Sequence, residues 1–305
     1  MEERNKQIYE ILIKEYESKI EKGSAKEKKK EILDLFINHN ELISLEEFEN
    51  VRQLIHQAIT DCDLELLEIL LCQEIEEETC NIVYKINKRN KTASIFKIKK
   101  DIRKFIAPEI FKYESEDYLV TSIIGSYPEL FFNNIHKSFD LSSIQKVFRN
   151  AFNGLSFSIL YIQESLIELK TGWCDKLDYL NKIIVSPLND RFVFKDEKYL
   201  LGKSDEKSEN FDVLYFAIRD LKEAIIPSNI KIIKSCAFQN CEMLRKIEFE
   251  PNSNLQTIEE SAFSKTCIKE IIIPSSVTKI GKKAFFYCAD LQKIEFQPDS
   301  KIQTI

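Results

Sequence analysis

Three histidines are the first residues to consider for catalysis, because a histidine titrates near neutral pH and commonly serves as a general base or a metal ligand. They are His39, His56 and His136, and none belongs to an H-E-x-x-H or H-x-E arrangement. The eight cysteines include no C-x-x-C pair, and no adjacent histidine would activate their thiols. A glycine-rich phosphate loop is also missing from the sequence. The sequence therefore predicts a protein that is not an enzyme and uses no metal or cofactor.

Carboxylates leave one catalytic alternative open. A chain with 50 Asp and Glu residues can bring a distant acid and base together in the fold. The corresponding hypothesis is a catalytic amino-terminal domain that carries the rest of the chain as a targeting arm. The net charge of −6 gives no overall attraction to nucleic acid or to an acidic membrane.

Apolar residues recur with a period near 23 residues in the carboxy-terminal part. Each unit opens with an apolar residue, and seven places later it has a small site, commonly Ala, followed by Phe. The opening residues are Ile144, Leu166, Ile230, Leu255, Val277 and Ile302, and the small sites are Ala151, Trp173, Ala237, Ala262 and Ala284. One short unit cannot bury its own apolar side, whereas stacked units bury a continuous column. We therefore expect a solenoid in which Phe238, Phe263 and Phe285 form an interior row.

The second half of each unit predicts a β-strand that ends near a proline. Side chains at the third and fifth positions of these strands should point to solvent, opposite the fourth and sixth. These outward positions form the predicted protein-binding face, and they are Lys182, Ile184, Glu223, Ile225, Lys246, Glu248, Glu270, Ile272, Lys293 and Glu295. The third-position charges alternate in sign, which predicts a ladder of opposite charges across neighbouring strands. Such a ladder would stabilise the sheet, recognise a partner, or do both.

The stretch "IPSSVTKIGKKAFFYCADLQKIEF" resembles the BspA-type leucine-rich repeats of bacterial and protist proteins. Units from Ile226 to Phe296 match this pattern well, and those from Ile144 to Val185 match it less closely. The resemblance implies a right-handed solenoid that binds a protein ligand without catalysis. It also implies the alternative function of a cell-surface adhesin or antigen.

The solenoid is assigned to residues 105–305, with an insertion at residues 186–220. The openings Leu166 and Ile230 lie 64 residues apart, which exceeds one repeat. Within the surplus, "RFVF", "KYLLG" and "DVLYFAI" alternate as strands do, so we expect an inserted β-hairpin. The insertion either covers part of the stack or narrows the choice of ligand.

The amino-terminal residues 1–104 predict a separate α-helical domain, which makes the expected fold class α+β. Apolar residues from Ile8 to Ile20 follow one helical stripe, and capping-box sequences begin at Ser24 and Ser44. The segment from Leu54 to Leu71 resembles one ankyrin repeat. A helical hairpin with the same pattern is the alternative.

A basic block covers residues 85–104, with Tyr84 and Phe96 interleaved. This pattern occurs in proteins that bind single-stranded nucleic acid. Because no nucleic-acid motif accompanies it, we favour a solvated junction that the preceding acidic sequence "QEIEEETC" neutralises, and expect no nucleic-acid partner.

Location and assembly are predicted from the two ends of the sequence. The charged first residues contain no secretory signal, and no apolar run has the about 20 residues that cross a bilayer, so we expect a cytoplasmic protein. The resemblance makes the cell surface the alternative location. The last repeat has no polar cap, so we expect either self-association at that end or a longer repeat array.

Overall fold

The computed structural model describes residues 63–77, 82–98, 104–124, 135–153 and 155–304, together with residues 52, 54, 55, 57 and 58. The chain divides into two compact units. The first unit comprises Met1–Lys100 and Pro108–Leu130, and the second comprises Asp101–Ala107 and Phe131–Ile305.

Strands account for most of the regular structure in this described part of the chain. One helix, α1, spans Leu64–Leu70. The strands up to the first repeats are β1 (Gln73–Glu77), β2 (Ile82–Asn87), β3 (Thr92–Ile98), β4 (Lys104–Ile106), β5 (Ile110–Tyr113), β6 (Glu116–Ile123), β7 (Ile135–Asp140), β8 (Lys146–Val147), β9 (Ser156–Ile162), β10 (Glu168–Leu169) and β11 (Lys182–Val185). The strands after them are β12 (Phe192–Lys195), β13 (Tyr199–Gly202), β14 (Val213–Ala217), β15 (Glu223–Ile226), β16 (Ile232–Ile233), β17 (Lys246–Phe249), β18 (Thr257–Ile258), β19 (Glu270–Ile273), β20 (Lys279–Ile280) and β21 (Lys293–Phe296).

The first unit contains a mixed sheet and the helix α1. Strand β2 pairs antiparallel with β1 and β3, β3 pairs parallel with β6, and β5 pairs antiparallel with β6. The helix begins where the Asp63 side chain accepts a hydrogen bond from the Leu66 backbone N–H at 3.1 Å. It buries Leu66, Leu67 and Leu70.

The prediction of an α-helical domain over residues 1–104 is wrong, and with it the α+β fold class. Between residues 52 and 104 the described chain has one helix with defined bounds and the three strands β1, β2 and β3, and β4 begins at Lys104. The β2 and β3 segments are rich in β-branched and aromatic residues, which favour strands. Asn87 sets the turn between them, because its side-chain oxygen accepts hydrogen bonds from the N–H groups of Arg89 and Asn90, both at 3.1 Å.

The ankyrin-like segment is not shown, because the chain enters β1 two residues after Leu71. The predicted helix starts at Ser24 and Ser44, and the apolar stripe from Ile8 to Ile20, lie outside the described residues. The basic block is also less available than its composition suggests. Lys85 is buried and pairs with Glu74 at 2.9 Å.

The second unit is a β-solenoid whose coils each contribute two short parallel strands. On one side β14, β16, β18 and β20 pair in parallel, in that order. On a second side the parallel pairs are β7 with β9, β9 with β11, β15 with β17, and β19 with β21. The prediction that the second half of each repeat is a strand is confirmed for β11, β15, β17, β19 and β21.

Backbone hydrogen bonds also join the Ala-Phe turns of successive coils. The Phe238 N–H donates to the carbonyl of Ala262, and the Phe263 N–H donates to the carbonyl of Ala284, each at 2.8 Å. The Ala217 N–H donates to the Ala237 carbonyl at 2.9 Å. The polar backbone groups of these turns are therefore satisfied between coils, which allows the turns to pack closely over an apolar interior.

An aromatic row fills that interior, as the repeat pattern predicts. The rings of Phe238 and Phe263 stack with centroids 5.1 Å apart, and those of Phe263 and Phe285 stack at 5.6 Å. Phe238 and Phe263 are fully buried, and Phe285 packs against the same cluster. The predicted interior row is confirmed.

Left-handed backbone conformations recur at two places in each turn. The residue before the small site has a positive φ, and so does the residue four places later. The pairs are Gly172 and Lys176, Cys236 and Asn240, Ser261 and Lys265, and Lys283 and Tyr287. An L-residue with a Cβ is disfavoured in this conformation, so the turn costs energy that the buried interior offsets.

The insertion consists of β12, β13 and β14, which pair antiparallel in that order. The three segments predicted to be strands are therefore strands. Strand β14 then pairs in parallel with β16, so the insertion continues into the ladder of the next coil.

Arg219 lies where the insertion interrupts the stack of turns. Its guanidinium is buried and donates hydrogen bonds to the carbonyls of Leu177 (3.1 Å), Cys174 (3.4 Å), Ala237 (2.9 Å) and Cys236 (3.4 Å). The first two belong to the turn before the insertion, and the other two belong to the turn after it. One side chain thus joins two turns that the insertion separates in the sequence.

Candidate protein-binding surface

The ten residues of the predicted binding face are all exposed on the strand side of the solenoid. The inward neighbours Ile183, Ala224, Ile247 and Ile271 are buried, which fixes the alternation along β11, β15, β17 and β19, whereas Ile294 in β21 is 42% exposed. We call this surface the strand face. It comprises Lys182, Ile184, Glu223, Ile225, Lys246, Glu248, Glu270, Ile272, Lys293 and Glu295.

Parallel pairing brings some of the predicted opposite charges into register. Glu223 lies opposite Lys246, and Glu270 lies opposite Lys293. The ladder is not continuous, however, because Lys182 lies opposite Ile159. The described ladders also stop between β17 and β19. The sequence did not predict this break, and unequal spacing alone does not explain it, because β16, β18 and β20 are also unequally spaced and pair in parallel.

Two ion pairs of the strand face lie within single strands. Lys246 Nζ lies 2.7 Å from Glu248 Oε1, and Lys293 Nζ lies 2.5 Å from Glu295 Oε1. The hydrogen bond to Glu248 raises the pKa of the Lys246 ammonium, and the one to Glu295 raises the pKa of Lys293. Both lysines are therefore neutralised within their own strands.

Glu223 and Glu270 differ from these paired residues. Neither accepts a hydrogen bond or forms an ion pair through its side chain with the residues that the structure describes, although their register partners are lysines. The strand face thus presents two carboxylates that form no ion pair, each two residues from an exposed isoleucine, and their remaining interaction is the longer-range attraction of Glu223 for Lys246 and of Glu270 for Lys293.

Thiol chemistry is disfavoured in the interior of the solenoid. Burial raises the pKa of Cys174 to about 11, and it also raises the pKa of Cys236 and Cys241. A thiol with a raised pKa is a weak nucleophile at neutral pH. Six cysteines of the described chain are free: Cys72, Cys174, Cys236, Cys241, Cys267 and Cys288.

No group of three or more His, Cys, Asp or Glu side chains that could hold a metal occurs in the part of the chain that the structure describes. Of the three histidines, His39 and His56 lie outside the described residues. His136 lies in β7.

Several polar contacts between coils were not predicted from the sequence. Ser276 donates to the carbonyls of Ser253 (2.9 Å) and Leu255 (2.8 Å), and Asn254 donates to the carbonyl of Ser228 at 3.1 Å. These side chains satisfy backbone carbonyls where the chain bends after each strand. Both Ser276 and Asn254 stand directly before a repeat opening, and this recurring polar position is the signal in the sequence that could have indicated them.

Asp212 ties the insertion to the following coil. Its carboxylate lies 2.9 Å from Lys231 Nζ and accepts hydrogen bonds from the Ser204 N–H and hydroxyl, both at 2.8 Å. Burial alone would raise the pKa of this carboxyl, but these hydrogen bonds outweigh burial and lower it.

A comparison with protein families covers the last third of the chain. Residues 211–305 match the BspA type leucine-rich repeat region in six copies. The matched residues include β14 to β21 and all three members of the Phe238, Phe263 and Phe285 row. A search of curated proteins finds no match to the chain.

Solved structures with leucine-rich repeats resemble the chain at low sequence identity. A leucine-rich cell surface protein from Faecalibacterium prausnitzii is 20% identical, with a TM-score of 0.40 over 75% of this chain and 55% of that one. The pneumococcal vaccine antigen PcpA is 16% identical, with a TM-score of 0.33 over 75% of this chain and 51% of that one. A leucine-rich repeat protein from Eubacterium ventriosum is 18% identical, with a TM-score of 0.44 over 73% of this chain and 71% of that one. The chain thus spans about half the length of the first two proteins.

None of the helices in the described residues is long and apolar enough to cross a membrane.

Proposed function

We propose that this chain is a non-catalytic scaffold that binds another protein through the strand face. The observation that carries the proposal is the exposure of all ten strand-face residues, with buried inward neighbours on β11, β15, β17 and β19. A rigid sheet that presents side chains in fixed positions loses little conformational entropy on binding. The residues that match the BspA-type repeat region supply four of these strands, β15, β17, β19 and β21, as two two-stranded ladders.

The composition of the strand face also suits a protein ligand. Ile184, Ile225 and Ile272 are exposed by 37%, 56% and 52%. Charged side chains surround them, as the polar rim surrounds the apolar centre of many interfaces. An apolar centre with a charged rim favours a folded or folding protein segment over a small molecule, which needs a concave pocket.

The experiment is affinity capture with the full chain and two sets of variants. Alanine at the ten strand-face positions should abolish capture of a specific partner. A matched variant with alanine at Lys265, Lys282 and Lys283, which are exposed outside the strand face, should retain it. Equal capture by both variants would contradict the proposal, provided that circular dichroism shows both to be folded.

A second proposal concerns location. The BspA-type resemblance favours an adhesin at the cell surface as an alternative to an internal scaffold. Antibody labelling of intact, unpermeabilised cells separates the two. Labelled cells would support the surface adhesin, and cells that stay unlabelled until they are permeabilised would support the internal scaffold.

A further inference from the structure

The strand face has a second period of two coils. Strands β15 and β19 share one pattern. Each begins with an outward Glu that follows a Lys, and an outward Ile stands two places after that Glu. Strands β17 and β21 present Lys followed two places later by Glu, and in both strands these two side chains pair with each other. Coils with an exposed isoleucine and a carboxylate outside any ion pair therefore alternate with coils whose Lys and Glu pair with each other.

The apolar positions of this pattern are Ile225 and Ile272. Each is more than half exposed, although its neighbours Ala224 and Ile271 are buried. The strands that carry them belong to separate two-stranded ladders, but the parallel pairing of β16, β18 and β20 stacks the coils and sets the separation of the two side chains.

The stacked aromatic rings measure that separation. Phe238, Phe263 and Phe285 follow each other at 5.1 and 5.6 Å, one ring for each coil. Two coils therefore span about 10 Å, close to twice the usual spacing of neighbouring strands, about 4.8 Å. A partner that contacts both isoleucines must present apolar side chains about 10 Å apart on one side.

An α-helix meets this requirement and an extended strand does not. Seven helical residues rise about 10.5 Å and complete about two turns, so residues i and i+7 lie on one side of the helix. In a strand about 10 Å corresponds to three residues, and residues i and i+3 point to opposite faces. The spacing of the isoleucines thus favours a helix with an apolar residue at every seventh position.

The carboxylates of Glu223 and Glu270 favour a positive charge on that helix. Glu223 and Glu270 each lie two residues from the neighbouring isoleucine, a distance of about 6.6 Å along a strand. Their register partners Lys246 and Lys293 are already bonded to glutamates of their own strands. Lysine or arginine on the partner would complement the two carboxylates, and the net charge of −6 also favours a basic partner.

We propose that the strand face binds a basic amphipathic α-helix that lies along the solenoid axis across β15, β17 and β19. Apolar side chains seven residues apart contact Ile225 and Ile272, and basic side chains beside them pair with Glu223 and Glu270. This inference rests on the proposed function, because it names the chemistry of the partner for the same surface.

Fluorescence anisotropy with the full chain and two labelled peptides tests the inference. The probe is an alanine-based helical peptide with Leu at three positions seven residues apart and Lys beside each Leu. The control peptide has the same composition with the Leu residues five apart, which places them on different sides of the helix. The first peptide should bind at least tenfold more tightly.

Variants of the chain locate this binding. Ile225→Ser combined with Ile272→Ser should remove the preference for the seven-residue spacing, whereas Ile167→Ser, at an isoleucine 45% exposed outside the strand face, should not change it. Glu223→Lys with Glu270→Lys should weaken binding at least fivefold and reduce its dependence on salt.

Equal affinity for the two peptides, or an unchanged preference in the double serine variant, would overturn the helix proposal. Strand-face alanine variants that still abolish affinity capture would then leave the proposed function in place. If the double serine variant loses the spacing preference but the ten-alanine variant still captures the partner, the result would instead contradict the broader function.

Discussion

At the scale of single residues, Arg219 shows how the solenoid tolerates its insertion. A buried guanidinium is retained because its rigid fork of donors reaches backbone carbonyls of two separate turns. Its ring partner Phe216, 4.2 Å from the guanidinium carbon, holds it in place. No repeat motif contains this residue, so a sequence search for periodicity could not identify it.

Replacement of Arg219 tests this role. Arg219→Met keeps much of the length but leaves buried carbonyls without donors, so we expect the free energy of unfolding to fall by about 1–3 kcal/mol. Urea denaturation followed by circular dichroism measures the change. The exposed Arg245→Met is the matched control and should change it by less than about 0.5 kcal/mol. Equal losses in the two variants would contradict the assignment.

Asp212 makes a prediction about pH. Its folded-state pKa lies below the ordinary value of 3.8, so the stability it contributes is complete above pH 3.8 and is lost as the pH falls through the lowered pKa. Asp212→Asn should therefore be less stable than the parent chain at pH 7, and the difference should shrink below pH 3.8. Asp190→Asn, at an exposed position, is the control. A difference that grows towards low pH in urea titrations would refute this account.

At the scale of elements, the turns and strands differ in how far the sequence predicts them. The strand from Lys246 to Phe249 could be located because its apolar alternation and the following proline have direct physical causes. The strand from Ile82 to Asn87 was not predicted, because the segment was interpreted by its charges and not by its β-branched and aromatic residues. Residues with positive φ, such as Lys265 and Tyr287, carry no recognisable signal, since glycine does not occupy those sites.

A glycine substitution tests the cost of the turn conformation. Lys265 has a φ of 57°, where a Cβ is disfavoured, and its side chain is exposed. Lys265→Gly should raise the free energy of unfolding by up to about 1 kcal/mol, because relief of the strain exceeds the added freedom of the unfolded chain. Lys269→Gly, directly before β19, should lower it. Thermal melts of both variants provide the measurement, and a lower melting temperature for Lys265→Gly would show that the turn is not strained.

At the scale of the whole molecule, the aromatic row packs successive repeats against one another. Phe263 lies between Phe238 and Phe285 and is fully buried. Phe263→Ala should lower the free energy of unfolding by about 3–5 kcal/mol, as expected for a buried phenylalanine. The partly exposed Phe286→Ala should cost much less. Guanidinium denaturation measures the free energy of unfolding of both variants. Similar losses of stability would contradict the claim that the aromatic row stabilises the stacked coils.

The repeat period predicted the outward and inward sides of the strand face, because a two-residue alternation follows from strand geometry alone. The partners of its charges could not be predicted in the same way. Lys246 pairs with Glu248 in its own strand, and the ladder stops before Glu270. Such pairing depends on the conformation of individual side chains and strands, which an average period does not resolve.

Site-specific photo-crosslinking measures the central claim most directly. A benzophenone side chain is placed at residue 225, 272 or 167 of the full chain, and crosslinked partners are detected in the cells that produce the protein. The account predicts a protein adduct from positions 225 and 272 and none from position 167. Adducts from position 167 alone, or no adduct from either strand-face position, would contradict it.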